Sequence, residues 1–154
     1  MAYKFFDFKK HAVAGSTRLT ATNTGEIYNI QAAADIDNGA IVGKGAYVKP
    51  HYYAEAAAGA FEGNIIGRAG NGNWYVEVKS AVDCYLVLSV PELYADYTEE
   101  MKHESNFYNA KGDLMRCYQL FVNDVFEVSA EAFTGTPAAG KTVSVADKKL
   151  SVAE

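Results

Sequence analysis

The stretch Gly112–Ser129, GDLMRCYQLFVNDVFEVS, carries the clearest fold signal in the chain. Its two runs, Leu114–Val122 and Val125–Ser129, are rich in strand-forming residues and flank the turn-forming pair Asn123-Asp124. Successive side chains of a β-strand point to opposite faces of a sheet, so the period-two alternation along both runs predicts strands. No reactive group stands out in either run. The stretch therefore predicts a sheet without visible chemistry on it.

Short strand patterns recur through the rest of the chain. Val82–Val90 reads as a buried strand that ends at Pro91, and Leu19–Asn23 alternates like a strand. Ala54–Ala60 is rich in alanine but interrupted by glycine, which predicts a loop with at most one helical turn. Tyr94–Glu104 is the polar, helix-tolerant region.

The tail AGKTVSVADKKLSVAE predicts a small hairpin. Val143 and Val145 are expected to pair with Leu150 and Val152 across a turn at Asp147-Lys148. Many short strands at this spacing predict an all-β or mainly β fold. We expect a small sandwich or barrel of short antiparallel strands with at most one or two short helices.

Length and composition are those of an ordinary globular protein. The chain has 154 residues, of which 49% are hydrophobic and 21% charged. A chain of this size can bury a core without a metal or a disulfide. We expect a single β-rich domain over residues 13–154 with a C-terminal hairpin, preceded by an N-terminal arm or first strand over residues 1–12.

The charge pattern excludes several classes of partner. The net charge is −5 and the basic residues are scattered, with one local cluster at Lys9-Lys10-His11. Nucleic-acid-binding proteins present a basic patch, so no direct nucleic-acid partner is expected. No apolar run reaches the roughly 18 residues of a membrane-spanning helix, so no membrane partner is expected. The segment MAYKFFDFKKHAVAG lacks the continuous apolar core of a signal peptide, which predicts synthesis in a cytosol without export by that route.

Candidate catalytic and metal-ligating residues show no productive spacing. Cys84 and Cys117 each lie in an apolar run, which favours buried free thiols over a disulfide or a reactive site. His11, His51 and His103 are far apart and share no metal-ligand spacing. We therefore predict a non-enzymatic protein with no catalytic residues, no metal site and no cofactor.

One glycine-rich segment matches a nucleotide-binding pattern by spacing alone. Gly135–Thr142, GTPAAGKT, has the Walker spacing, with Lys141 followed by Thr142. A phosphate-binding loop needs a helix directly after it, so that backbone amides and the helix dipole face the phosphates. The sequence that follows, VSVADKKLSV, alternates like a strand. We therefore expect a loop and a hairpin there, without a nucleotide site.

The order and character of four segments resemble a known group of proteins. The segments are DIDNGAIVGKG, VDCYLVLSVPELYADYTEE, NFYNAKGDLMRCYQLFVNDVFEVSAEAF and AAGKTVSVADKKLSV, within Asp35–Val152. Together they look like the head decoration, cement or head-fibre proteins that tailed bacteriophages encode beside their major capsid protein. The resemblance implies a β-rich structural virion protein, made in the host cytoplasm, that binds the outer capsid surface and reinforces it. It also implies two kinds of partner, the major capsid protein and neighbouring copies of the same chain.

The N-terminal residues are the predicted protein interface. Tyr3, Phe5, Phe6 and Phe8 place four aromatic rings within six positions, with lysines close by. A large ring with a polar tip favours interfaces, and chain ends are often mobile until they bind. The open alternative is that this segment is the first strand of the core.

A second function from another class stays open at this point. The chain has 11 tyrosines, and Trp74 with the pair Tyr52-Tyr53 is suited to stacking on sugar rings. The alternative is therefore a carbohydrate- or ligand-binding β-module of a phage tail or fibre.

Overall fold

The computed structural model of this protein describes residues 12–49, 52–89 and 108–153. Within these ranges the chain is mainly β-structure with one short α-helix, α1 (Thr20–Thr24), which confirms the predicted fold class. A 3-10 turn spans Ala130–Ala132. The strands are β1 (Ala14–Arg18), β2 (Ile27–Gln31), β3 (Ile41–Val48), β4 (Tyr52–Ala56), β5 (Phe61–Arg68), β6 (Trp74–Ala81), β7 (Tyr85–Val87), β8 (Leu114–Gln119), β9 (Val125–Val128), β10 (Phe133–Thr134), β11 (Thr142–Ala146) and β12 (Lys149–Val152).

These strands form two sheets. One is a closed five-stranded barrel in the order β2-β4-β3-β7-β8, in which β2 and β4 are parallel and the other neighbours antiparallel. The other is an open seven-stranded sheet in the order β1-β9-β6-β5-β11-β12-β10, in which β10 and β12 are parallel. Closure of the barrel removes its edge strands, so of these two sheets of the described residues only the open one has edges.

Two apolar cores follow from the alternation of side chains along the barrel strands. Tyr85 and Val87 belong to the core inside the barrel, whereas Leu86 between them packs in the core that the barrel shares with the open sheet. In the same way, Val42 belongs to the core inside the barrel and Ile41 to the shared core. Because both faces of these strands are buried, the sequence shows continuous apolar runs there. Burying one such side chain contributes roughly 1.5–3 kcal/mol.

The stretch Gly112–Ser129 is the link between the two layers. Both predicted strands are present, as β8 and β9, but β8 lies in the barrel and β9 in the open sheet. The chain crosses between them at residues 120–124. Asn123 takes a left-handed backbone conformation there, with φ 74°, which asparagine tolerates better than most residues. The pair Asn123-Asp124 therefore turns the chain from one sheet to the other.

The predicted strand over Leu19–Asn23 is wrong, because this segment forms α1. The helix ends at Gly25, which adopts φ 83° and donates its N–H to the Ala21 carbonyl. Left-handed glycine is a common helix end. Leu19 and Ala21 are both buried, as an alternating strand pattern would also require, so the local sequence does not separate the two structures.

The predicted loop at Ala54–Ala60 is also wrong in its first half, which belongs to strand β4. Glycines in β3 allow this strand to pack closely. A Cβ atom on Gly43 would lie 2.2 Å from the Ala57 carbonyl oxygen, and one on Gly45 would lie 2.8 Å from that of Ala54. No side chain fits at either position. The other predicted helical segment, Tyr94–Glu104, lies outside the described residues.

The predicted C-terminal hairpin is confirmed in its register. Val143 pairs with Val152 and Val145 with Leu150, across a turn in which Asp147 and Lys148 have φ 50° and 67°. In a two-residue hairpin, positive φ at both central residues matches the twist of the flanking strands.

The Walker-like segment lies between strands β10 and β11, and a strand follows it as predicted. Its backbone is bonded to β5, because Gly140 N–H donates to the Ile65 carbonyl at 2.7 Å and Ile65 N–H donates to the Lys141 carbonyl at 2.9 Å. The Gly140 N–H is therefore already hydrogen-bonded within the sheet.

Candidate functional site

The predicted interface residues Tyr3, Phe5, Phe6 and Phe8 lie outside the described residues. The structure does show how the chain next to them is held. Ala12 is buried and its N–H donates to Asp37 Oδ2 at 3.2 Å. Val13 N–H donates to the Ser129 hydroxyl at 2.9 Å, and Ser129 N–H returns a bond to the Val13 carbonyl at 2.9 Å. The backbone of Ala12 and Val13, where the described residues begin, is therefore held by hydrogen bonds to Asp37 and Ser129.

A buried asparagine network lies at the same end of the barrel. Asn38 Nδ2 donates to the Ser89 carbonyl at 2.9 Å, and Asn38 Oδ1 accepts Ser89 N–H at 3.0 Å. The same Oδ1 accepts Asn109 Nδ2 at 3.1 Å. Ser89 and Asn109, which are 20 positions apart in the chain, are therefore both bonded to the Asn38 side chain.

A cleft with both apolar and charged residues in its wall opens beside this network. Its volume is about 280 Å³, and Ala12, Asp37 and Asn38 are part of its lining. Charged residues of both signs complete much of the wall: Asp35, Glu131, Asp147, Lys148 and Lys149. A wall of mixed charge suits polar contact with a protein surface. We call this feature the polar cleft.

An ion pair connects the barrel to the open sheet near the polar cleft. Lys148 Nζ lies 2.6 Å from Glu55 Oε2, and the Glu55 side chain is only 5% exposed. Glu55 Oε1 also accepts Ala33 N–H at 3.1 Å. A buried carboxylate without such partners would be costly, so the β11–β12 turn and the end of β4 hold each other in place.

The barrel also holds a lysine among tyrosine rings. Lys44 Nζ lies 4.0 Å from the ring centroid of Tyr28, 4.6 Å from that of Tyr53 and 5.7 Å from that of Tyr85. These rings come from β2, β4 and β7, so three other barrel strands converge on one ammonium group. Tyr47 adds a fourth ring, 5.2 Å from Tyr53 and 53% exposed. We call Lys44 and these four tyrosines the Lys44 cluster.

The charge of Lys44 acts on the buried tyrosine of this cluster. Burial raises the pKa of Tyr85 above its usual value, and the positive charge of Lys44 opposes that rise. Tyr28 makes edge-to-face contacts with both Tyr53 and Tyr85, at 5.8 and 5.7 Å. A cation over aromatic faces is stabilised by about 0.5–2 kcal/mol, which orders the side chains of this cluster.

The residues predicted to stack on sugars are separated by the fold. Trp74 lies in the open sheet, half-buried, with the Arg68 guanidinium 5.1 Å from its ring. Tyr52 and Tyr53 lie in the barrel, where Tyr53 joins the Lys44 cluster. The sequence prediction missed Lys44 itself. The abundance of tyrosine was the one signal available, because the rings that surround Lys44 are brought together by strand pairing.

The two cysteines are buried in different cores, Cys84 in the core shared by the sheets and Cys117 inside the barrel. Burial raises the pKa of each thiol above its usual value. A raised pKa disfavours the thiolate, which is the reactive form. His11, His51 and His103 lie outside the described residues. Among residues 12–49, 52–89 and 108–153, no group of three or more His, Cys, Asp or Glu side chains is arranged to hold a metal ion.

Comparison with models of protein families, with curated proteins and with solved structures found no match to this chain. In the part of the chain that the structure describes, no helix is long and apolar enough to cross a membrane.

Proposed function

We propose that this chain is a non-enzymatic structural virion protein that binds the outer surface of a tailed-bacteriophage capsid and reinforces it. Its partners are the major capsid protein and neighbouring copies of the chain on the capsid. It is made in the host cytoplasm and ends on the virion. The resemblance of its sequence to head decoration proteins supports this proposal.

The observation that carries the proposal is the fixed junction at Ala12 and Val13. Phe8, the last of the four N-terminal aromatic residues, is four positions before Ala12, which is bonded to Asp37 of the β2–β3 loop, and Val13 is bonded to Ser129, directly after strand β9. Binding energy gained by those rings would therefore act directly on the folded protein. One well-buried aromatic anchor at an interface contributes about 2 kcal/mol or more.

The architecture suits attachment to a repeated surface. The barrel and the open sheet share one apolar core, and Glu55 and Lys148 connect them at the end where Ala12 joins. A preorganised body loses little conformational entropy when it binds, so more of the contact energy appears as affinity. The polar cleft beside the junction offers further polar contact there.

The test is to delete Met1–Lys10, which leaves the bonds of Ala12 and Val13 in place. The melting temperature of the free protein and its cosedimentation with capsids that lack it are then measured. We expect the melting temperature to be retained and binding to fall by orders of magnitude, because each 1.4 kcal/mol or so is a factor of ten.

Two results would contradict this expectation in different ways. Loss of the folded state would identify the segment as the first core strand. Retained folding with unchanged binding would remove the segment from the interface. The matched control is Tyr47→Ser, which removes an exposed aromatic ring of the Lys44 cluster and should leave capsid binding unchanged.

A further inference from the structure

The chain contains two Asn-Gly pairs, Asn38-Gly39 and Asn71-Gly72. Glycine has no side chain to shield its backbone nitrogen, so this nitrogen can reach the side-chain carbonyl carbon of the preceding asparagine. Attack at that carbon closes a succinimide ring and releases ammonia, and water then opens the ring. Because both pairs have the glycine that this reaction favours, a difference in reactivity between them has to come from the fold.

The fold protects the first pair. Asn38 is 8% exposed, and Gly39 is also buried. Both ends of the Asn38 amide are bonded to the Ser89 backbone, and its Oδ1 also accepts Asn109 Nδ2. The Gly39 N–H donates to the Val87 carbonyl at 2.8 Å. Reaction at this pair therefore requires the opening of a buried hydrogen-bond network.

The second pair lies in the exposed turn between β5 and β6. Asn71 and Gly70 are both exposed, and a Cβ atom on Gly70 would meet no atom within 4 Å. The Gly72 N–H donates to the Ala69 carbonyl at 3.0 Å. Bonds in surface turns open at a much lower free energy than bonds in a core. The nitrogen of Gly72 can therefore react without unfolding of either apolar core.

The Asn71 side chain is held in an orientation that favours attack. Its Oδ1 accepts the Asn73 N–H at 3.1 Å, and its Nδ2 donates to Glu127 Oε1 at 2.7 Å. Negative charge develops on Oδ1 when the carbonyl carbon is attacked, and the Asn73 N–H stabilises that charge. The leaving nitrogen gains a proton and becomes positive, which the Glu127 carboxylate stabilises. Asn73 Nδ2 also donates to Glu127 Oε1, at 2.9 Å, and so positions the carboxylate.

We propose that Asn71 is a site of spontaneous deamidation, at which the folded protein acquires an aspartate or isoaspartate residue. The Gly72 nitrogen gives its proton to hydroxide and bonds to Cγ of Asn71. The bond from Cγ to Nδ2 then breaks, and the nitrogen takes a proton from water and leaves as ammonia. Water adds to one of the two ring carbonyl carbons and breaks the bond of that carbon to the Gly72 nitrogen. Addition at Cγ gives aspartate, and addition at the backbone carbon gives isoaspartate.

The modification changes the contact between this turn and strand β9. A carboxylate at position 71 replaces the amide that donates to Glu127, so two negative groups then face each other. Like charges at this distance repel. The reaction also adds one negative charge to a chain whose net charge is −5. The turn should therefore be held to Glu127 through Asn73 alone. This inference does not depend on capsid binding.

The experiment incubates the full-length protein at mildly alkaline pH in water enriched in heavy oxygen, both folded and unfolded in urea. Digestion in ordinary water and mass spectrometry then report heavy oxygen at each asparagine position. We expect the folded protein to take up heavy oxygen at position 71, as a mixture of aspartate and isoaspartate, and none at position 38. The unfolded chain should react at both positions, since only the fold distinguishes them.

One variant tests the part played by the carboxylate. Glu127→Gln keeps an acceptor oxygen for both asparagines but removes the negative charge, and should slow the reaction at position 71 of the folded protein by about fivefold. The matched control is Glu77→Gln. It removes a carboxylate of strand β6 that is paired with Lys79, and should leave the rate unchanged.

Three results would overturn the proposal. One is equal reaction at positions 38 and 71 of the folded protein. Another is no reaction at position 71 during a time in which the unfolded chain is converted. The third is aspartate without isoaspartate, which would indicate direct hydrolysis instead of attack by Gly72. If Glu127→Gln does not fold, the comparison of the two positions in the natural protein still decides.

Discussion

Asp124 accepts hydrogen bonds from both the backbone N–H and the hydroxyl of Thr20, a residue that lies 104 positions earlier in the chain. The two distances to Asp124 Oδ1 are 3.1 and 2.6 Å. The second carboxylate oxygen accepts Phe121 N–H at 2.9 Å. Asp124 is only 3% exposed. One buried carboxylate therefore positions both the first turn of α1 and the crossover between the two sheets.

Asp124→Ala is expected to lower the free energy of unfolding by about 2–4 kcal/mol, because it removes three hydrogen bonds and leaves two backbone amides unsatisfied. Asp124→Asn should cost less, since the amide retains one acceptor oxygen. Thr20→Val is the matched control. It removes only the hydroxyl bond and should cost about 1 kcal/mol. Urea unfolding measures all three, and a loss for Asp124→Ala no larger than for Thr20→Val would contradict this role.

The same relationship explains why α1 escaped prediction from the sequence. A strand and a one-turn helix both bury Leu19 and Ala21, so local alternation favours a strand. The acceptor for the first helical amide is Asp124, which is distant in sequence. Strand β4 was missed for a similar reason, because alanines favour helix locally and the deciding partners are Gly43 and Gly45 of β3.

The C-terminal hairpin was predictable because all of its determinants are local. Val143, Val145, Leu150 and Val152 alternate symmetrically about a two-residue turn, which sets the register without help from the rest of the fold. The Lys44 cluster is the opposite case. Its tyrosines come from separate strands, and only the order of strands in the barrel brings them to one lysine.

The natural protein should not bind nucleotide detectably, and Lys141→Ala should not change this. The strand β11 follows the Walker-like loop, and the Gly140 amide is bonded to Ile65. Helix-terminal amides, which bind phosphate in true nucleotide sites, are therefore not provided after this loop. Calorimetric titration with ATP and magnesium checks this. Micromolar binding to the natural protein that disappears in the variant would show that the loop does bind nucleotide.

Lys148→Gly sets two effects against each other. Lys148 has φ 67°, so glycine should relieve a backbone cost of about 1–2 kcal/mol. Glycine also removes the partner of Glu55, whose side chain is 5% exposed, while Lys148 itself is 37% exposed. Loss of a partner from a buried charge costs about 3–5 kcal/mol, less where water reaches the pair. The net expectation is destabilisation by about 1–2 kcal/mol.

Two further variants separate those effects in urea unfolding. Asp147→Gly changes the neighbouring residue of the same turn, at φ 50°, and leaves the ion pair intact. It should be neutral or stabilising. Adding Glu55→Gln to Lys148→Gly should restore much of the lost stability, because the uncharged amide tolerates burial without a cation. If Lys148→Gly alone were stabilising, the ion pair would contribute less than the turn.

The stability of the protein should fall as the pH rises above about 9. Burial raises the pKa of Cys84, Cys117 and Tyr85 in the folded state. As the pH rises, each of these groups loses its proton first in the unfolded chain. The contribution of the protonated group to the stability of the folded protein is therefore complete below the unfolded pKa and is lost as the pH rises through the folded pKa. The unfolded pKa values are 9.0 for the thiols and 10.0 for the tyrosine.

Cys117 lies fully inside the barrel, and Glu55 adds to the rise of its pKa. Urea unfolding under reducing conditions between about pH 8 and pH 10.5 should therefore show a steeper loss for the natural protein than for Cys117→Ala. The stability that Cys117→Ala loses through altered packing is measured at pH 8, and this difference is subtracted at every higher pH. Parallel curves for the two proteins would show that the Cys117 thiol does not contribute to this pH dependence.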